Sequence, residues 1–325
     1  MFEILYNDGK ATKNMSIGEL KNIFPITSGI LWIDLFAPTK EELKDILVNL
    51  FHFHPLTVED CSAFIDHPKI DDYETYLFGA FHSLVYHTEE LRVATWEVDF
   101  FISKDFIVTN HLKPVPYIPE MKNKFKNNEP LFLKGTDFIV QNLLDTMLNS
   151  YYPVLASLRK KLNEVEKEVL TATEHDTIND IYRTKRNLSL MKRVLLPQIE
   201  MLTEILQCKN KYFSSDSMVY FNDILNNAEK IRNKINEYNE MGQDTLNAHL
   251  SISSYKMNNV IKRLTVIMTI FMPLSVITGI GGMSEWSMMT GAGPTNWFIS
   301  YITFTLGLTL IGLISYYVFK RIKWL

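Results

Sequence analysis

Asn258, Ile261, Thr265, Met268, Met272, Ser275 and Gly279 recur at steps of three and four, which places them on one face of a helix. Their groups are an amide, two hydroxyls, two thioethers, one aliphatic side chain and a bare backbone. Such a set can offer oxygen to water or to a hydrated ion, and it contains no nucleophile with a base beside it. The opposite face, with Ile267, Ile270, Leu274 and Ile277, is lipophilic. Two readings fit the polar stripe. One is helix packing through small residues. The other is a pore lining, and since two helices cannot enclose a path, a pore needs several copies around an axis.

Other chemistry is sparse. There is no phosphate-binding P-loop, dinucleotide fingerprint, HExxH or GxSxG, so an enzyme is not expected. His52, His54, His67, His82 and His87 fit no zinc spacing and read as structural or surface residues. In His54-Pro55-Leu56-Thr57-Val58-Glu59-Asp60 the proline suits the first turn of a helix. Cys61 and Cys208 match no metal or redox pattern and read as ordinary thiols. No tightly bound cofactor is expected.

The elements that must carry the stripe are plain. Leu264 to Gly282 and Trp297 to Phe319 hold no charge. At about 1.5 Å per residue, each suffices to cross a hydrocarbon core of roughly 30 Å. Lys256, Lys262 and Arg263 precede the first span, and Lys320, Arg321 and Lys323 follow the second. The segment 283–296 between them has no Lys or Arg and one acid, Glu285. The positive-inside rule places both termini in the cytoplasm, the 283–296 loop outside, and 320–325 as a basic cytoplasmic tail. A multi-pass protein of the cell membrane is expected. The opening MFEILYND reads as neither a signal nor a transit peptide.

Residues 1–134 read as a cytoplasmic α/β domain. Leu31–Phe36 and Phe106–Thr109 are strand candidates. Tyr76–Tyr86 and Arg92–Ile102 suggest a hairpin. Thr39 and Glu42 form a capping box ahead of a helix to Leu50, and Pro119–Asn127 is a short helix. From 135 to 263 the pattern becomes a long-helix stalk. Leu144, Leu148, Tyr151, Leu155, Leu158, Leu162, Val165 and Val169 make a heptad seam on one long helix with a kink at Pro153. Ile181, Leu188, Leu195 and Leu202 continue it on a second, bent at Pro197, the pair forming an antiparallel coiled coil. From Met218 no proline occurs before Pro273, so a third helix of about sixty-five residues, ~100 Å long, is predicted to run into the first span. Residues 264–319 form the transmembrane domain. The net charge of −4, without runs of like charge, gives no reason to expect nucleic acid as a partner.

The segment Lys262 to Ser284, KRLTVIMTIFMPLSVITGIGGMS, resembles the pore helix of the CorA magnesium channels. That family reads Leu-Thr, then Phe-Met-Pro-Leu, then Gly-Ile-Tyr-Gly-Met-Asn at the outer mouth. The basic C-terminus, Trp32-Ile33-Asp34-Leu35, the stretch His54 to Asp60, and Pro68-Lys69-Ile70-Asp71-Asp72-Tyr73 also match, so the resemblance covers nearly the whole chain. It implies a funnel-shaped homopentamer in the lipid bilayer, with an α+β cytoplasmic domain, long coiled helices and a two-helix transmembrane segment. It also implies a passive, potential-driven path for divalent cations, Mg2+ first, with Co2+ or Ni2+ as other cargo. The mouth falls on Gly282, Met283, Ser284 and Glu285, and Leu264 and Met272 become apolar constrictions. Two departures stand out. Gly281 and Ser284 replace the family's tyrosine and asparagine. The family's inter-subunit regulatory acids fall on His87 and Asn247, so gating by intracellular Mg2+ is in doubt. The alternatives are a zinc or other transition-metal transporter of the same superfamily, and a membrane-anchored structural or sensor protein without conduction.

The orientation is testable with Thr290→Cys and Lys10→Cys in a background lacking Cys61 and Cys208. An impermeant thiol reagent outside intact cells is expected to label the first and spare the second; labelling at position 10 overturns the topology.

Overall fold

The computed structural model describes residues 2–9, 11–26, 28–65, 67–171, 177–207, 211–282 and 294–322. They fall into two compact units, Met1–Leu246 and Asn247–Leu325.

The first unit is built on a seven-stranded sheet of β1 (Phe2–Asn7), β2 (Thr12–Met15), β3 (Ile30–Phe36), β4 (Lys69–Asp72), β5 (Leu77–His87), β6 (Arg92–Ile102) and β7 (Phe106–His111), in the order β2-β1-β3-β7-β6-β5-β4. Among the described strands only β3 and β7 pair in parallel. Successive side chains along a strand point to opposite faces, and here both faces are buried. Leu31, Ile33 and Leu35 join one apolar cluster, while Ile30 and Trp32 join another. Sheets covered on both faces have such near-continuous apolar strands. The β5–β6 hairpin matches its expected extent within a residue. β1, β2 and β4 carry no strand expectation, because their patterns are short and mixed with charge.

The smaller cluster lies under α1 (Ile17–Ile23), α2 (Lys40–Leu43) and α3 (Pro55–Asp60). The capping box at α2 is present, with Glu42 N donating to Thr39 Oγ1 at 3.2 Å and Thr39 N donating to Glu42 Oε2 at 2.8 Å. The helix predicted from there to Leu50 changes pitch, and Lys44–Leu50 is a π-helical stretch.

The larger cluster lies under α4 (Tyr117–Lys126), α5 (Glu129–Phe132), α6 (Thr136–Asn149), α7 (Tyr151–Thr171), α8 (Thr177–Gln207) and the first part of α9 (Ser215–Gly281). All eight seam residues from Leu144 to Val169 are buried, as are Ile181, Leu188, Leu195 and Leu202. The seam does not lie on one helix kinked at Pro153. The break falls at Ser150, whose hydroxyl donates to Met147 O at 2.5 Å and accepts from Leu84 N at 2.9 Å. Pro153 then sits in the first turn of α7, where a missing N–H costs least. Pro197 lies inside α8. On α9, Phe221, Ile224, Ala228, Ile231, Ile235 and Tyr238 are buried at steps of three and four. That seam is visible in the sequence and extends the coiled packing to a third helix.

Asp34 is one of the acids buried in the sheet, Asp99 being another. Asp34 on β3 accepts from Lys122 Nζ at 2.8 Å and from Thr109 Oγ1 at 2.6 Å. His111 Nε2 lies 3.4 Å from Asp34 Oδ1, the oxygen that Thr109 also meets. Burial alone would raise this carboxyl. The His111 hydrogen bond, with the charges of His111 and Lys122, outweighs it and holds the group below the usual range. A lowered carboxylate contributes stability above its unfolded-state value, and that stability is lost as pH falls through the folded one. Lys122→Met leaves Asp34 buried with Thr109 and His111 but without its lysine charge. Thermal or denaturant unfolding is expected to show a loss of about 3–5 kcal/mol at neutral pH, shrinking in acid as Asp34 protonates. A neutral effect at pH 7 would show the pair to be dispensable.

Candidate functional site

The site begins in the second unit, on the C-terminal part of α9. Residues Asn258, Ile261, Leu264, Thr265, Met268, Met272, Ser275 and Gly279 are all exposed in the single chain, Met272 at 73%. Val266, Ile270, Leu274 and Ile277 are buried or half-covered and lie on the other side of the helix by its period. Ile267, expected with them, is exposed at 53%.

The polar groups of the stripe are not equivalent. Thr265 Oγ1 donates to Ile261 O at 2.8 Å, so its hydroxyl proton is engaged by its own helix. Thr269 and Thr278 do the same at 2.7 Å and 2.9 Å. Among the described residues, the Asn258 amide and the Ser275 hydroxyl make no side-chain hydrogen bond. Such groups in hydrocarbon are costly unless they meet water or a partner. Pro273 lies inside α9 and has no N–H, so the Thr269 carbonyl lacks its usual helical donor. Gly282 N closes the helix end on Thr278 O at 3.0 Å. Gly282 is described and exposed; Met283, Ser284 and Glu285, the rest of the expected mouth, lie outside the described residues. A second apolar helix, α10 (Pro294–Arg321), follows. Both α9 and α10 contain stretches long and apolar enough to cross a membrane.

The other singled-out residues lie in the first unit or at the boundary. His87 ends β5 and is exposed; Asn247 opens the second unit on α9. The two motifs His54–Asp60 and Pro68–Tyr73 meet through Lys69, whose Nζ lies 2.7 Å from Asp60 Oδ2 and 3.0 Å from Asp71 Oδ2. His54 caps α3, its Nδ1 accepting from Leu56 N at 3.3 Å, and its ring stacks on Tyr73. His82 is fully buried and stacks on Phe64. Among the described residues no three His, Cys, Asp or Glu side chains converge as a metal cage. Cys61 is buried, and burial with the nearby Asp99 pushes its thiol well up, so it is a poor nucleophile. Cys208 lies outside the described residues.

A layered α/β unit, a very long helix, and a pair of membrane-length helices with a polar face define a two-span membrane protein. The CorA-like Mg2+ transporter family matches residues 27–321, and the chain belongs to that family, whose members are transporters and not enzymes. The Bacillus subtilis protein YfjQ is 29% identical over 89% of this chain and 88% of its own length. The cobalt/magnesium transport protein CorA of Thermotoga maritima is 24% identical over 94% of this chain and 87% of its own. The solved structure of the CorA magnesium transporter from Methanocaldococcus jannaschii has a TM-score of 0.85 at 20% identity, covering 100% of this chain and 99% of that one. The expected fold class, an α/β unit with long helices and an apolar C-terminal helix, holds.

His87 offers an imidazole and Asn247 an amide, neither of them the carboxylate that Mg2+ prefers. Neutral imidazole suits transition metals better than Mg2+. Millimolar Mg2+ is therefore expected to protect the long helices only weakly from protease. Strong protection that survives His87→Ala with Asn247→Ala would place any regulatory ion elsewhere.

Proposed function

We propose that this chain forms a ring of identical copies, five by resemblance to CorA, around a path for passive, potential-driven entry of divalent cations, Mg2+ foremost. The observation that carries the reading is the stripe from Asn258 to Gly279. It mixes polar, small and thioether side chains, is exposed in one chain, and is set opposite a partly covered apolar face. Copies facing one another across water would satisfy Ser275, which lies within the 264–282 span, whereas lipid would not.

Mg2+ sheds water reluctantly. A path for it need only recognise the hydrated ion, and weak oxygen groups are enough. In this reading Gly282, Met283, Ser284 and Glu285 form the outer mouth, with backbone carbonyls and the Ser284 hydroxyl touching the hydration shell. A ring of Glu285 concentrates cations. Rings of Leu264 and Met272 are apolar constrictions that close by dewetting. With both termini cytoplasmic, inward movement of charge releases about 2.3 kcal/mol per charge per 100 mV. The transported cation is cargo and not a resident cofactor. Co2+ and Ni2+ are further candidates for cargo, and the Thermotoga maritima relative is named for cobalt and magnesium.

A serine hydroxyl is shorter than an asparagine amide and both donates and accepts. A Ser284 ring is accordingly wider and a weaker acceptor. In proteoliposomes loaded with a reporter for Mg2+, Co2+, Ni2+ and Zn2+, wild type is expected to admit Mg2+ with modest discrimination. Glu285→Gln is expected to cut uptake several-fold, most at low ionic strength where screening is weak. Ser284→Asn is expected to sharpen the preference for Mg2+. No cation flux in the assembled wild type would refute transport, and unchanged flux and preference in both variants would move the filter to Ser275 or Gly279.

A further inference from the structure

Two adjoining cavities in the first unit are not explained by cation transport. One is a groove of about 1130 Å³ between the β5–β6 turn and α8. Arg183, Arg186 and Arg193 line it at i, i+3 and i+10, one face of α8. Arg92 joins them from the start of β6. Against four guanidinium groups the lining sets two acids, Glu89 and Glu90. Among the described residues none of the four arginines makes an ion pair or a side-chain hydrogen bond.

Arg92 is held in place from both sides. Asn187 on α8 is buried, its Nδ2 donating to Leu91 O at 2.7 Å and its Oδ1 accepting from Val93 N at 3.1 Å. Both ends of one amide thus grip the backbone flanking Arg92. Leu91 carries φ 49°, a left-handed conformation that a leucine adopts only when its surroundings impose it. The hairpin end is pinned to the arginine face of α8 rather than free in solvent.

The second cavity, about 420 Å³, shares Arg92, Val93 and Leu190 with the first. Its character is different, with Phe64, Trp96, Ala94 and Leu112 among its walls. Asp99 also lines it, 3% exposed, and Asp99 Oδ1 has no hydrogen-bond partner among the described residues. The combination is a mainly apolar, partly aromatic slot that also carries Glu97, Asp99, His111 and Lys113, opening onto a surface rich in guanidinium.

We infer that these two cavities form one binding site for a nucleoside polyphosphate, with the phosphates on Arg92, Arg183, Arg186 and Arg193 and the base in the slot beside Trp96. Guanidinium groups present planar forks of donors that match phosphate oxygens two at a time. A triphosphate carries charge enough for several of them, which a lone carboxylate does not. Aromatic rings offer a stacking face to any base, and Asp99, whose carboxyl is pushed well up by burial and by the neighbouring Glu97, adds a buried polar group to the slot. The slot also falls within the size range of small-ligand pockets. The site lies wholly within Met1–Leu246 and needs no assumption about conduction.

The test is direct binding of labelled ATP, without divalent cations, to the full-length protein in nanodiscs of neutral lipid. Tripolyphosphate and adenosine serve as competitors. Saturable binding is expected, with tripolyphosphate at least tenfold weaker than ATP and adenosine weaker still. Arg183→Gln with Arg186→Gln is expected to weaken ATP at least tenfold at unchanged melting temperature and oligomer size. Trp96→Leu is expected to narrow the gap between ATP and tripolyphosphate, which a loss of folding would not do. No saturable binding, or binding indifferent to the arginine substitutions, overturns the site. So does tripolyphosphate binding as tightly as ATP. Dissociation of the copies by the arginine variants, with no nucleotide bound by wild type, also overturns it and assigns the arginine face to a neighbouring chain. Because binding is read without flux, failure here leaves the transport proposal standing, and the reverse holds.

Discussion

Helix α9 must satisfy two solvents along its 67 residues, and the rest of the molecule depends on how it does so. In the first unit it buries Phe221, Ile224, Ala228, Ile231, Ile235 and Tyr238 against the large apolar cluster. Burying each large apolar side chain is worth roughly 1.5–3 kcal/mol, and tertiary packing, more than propensity, is what holds a helix in water. Beyond Asn247 that support ends. The helix now carries Val266, Ile270, Leu274 and Ile277 on one side and the Asn258–Gly279 stripe on the other. The backbone hydrogen bonds that a helix makes within itself are what allow this stretch to enter hydrocarbon at all.

The same economy of satisfied polar groups governs the sheet. Asp34 lies on a central strand, where a lone carboxylate would be prohibitively costly. Lys122, Thr109 and His111 converge on it from α4 and β7. β3 and β7 pair in parallel, so their connection must cross over, and the intervening hairpin and helices form that crossing. The ion pair and the parallel register support one another, since a one-residue slip would turn Asp34 to the other face.

On the transport reading, the stripe is a set of weak ligands by construction. The Thr265 hydroxyl bonds to its own helix, and Met268 and Met272 offer thioethers that hard cations ignore. Only Asn258, Ser275 and exposed backbone remain for hydrogen bonding to water around an ion. A strong first-shell site would hold a divalent cation rather than pass it, so sparse oxygen fits passage of a hydrated ion. The arginine groove lies in the other unit, Met1–Leu246.

What was legible in the amino-acid chain was local and periodic. Two uncharged spans, the three-and-four spacing from Leu144 to Val169, the capping box at Thr39 and Glu42, and the β5–β6 hairpin all depend on residues a few positions apart. Their physics acts within one element, and sequence order carries it. The family motif at Phe271–Leu274 added the class of protein, although its outermost residues, Met283 to Glu285, lie outside the described part. Tertiary structure alone decided the strand order, the break at Ser150, the charge cluster of Asp34 with Lys122, and the meeting of Arg92 with Arg183, Arg186 and Arg193. Ser150 breaks the helix because its hydroxyl caps Met147 and meets Leu84, a residue on a distant strand. Asp34 and Lys122 are separated by 88 positions, and Val93 and Asn187 by 94. Contacts at such separation follow from how whole faces pack, and no spacing along the chain encodes them.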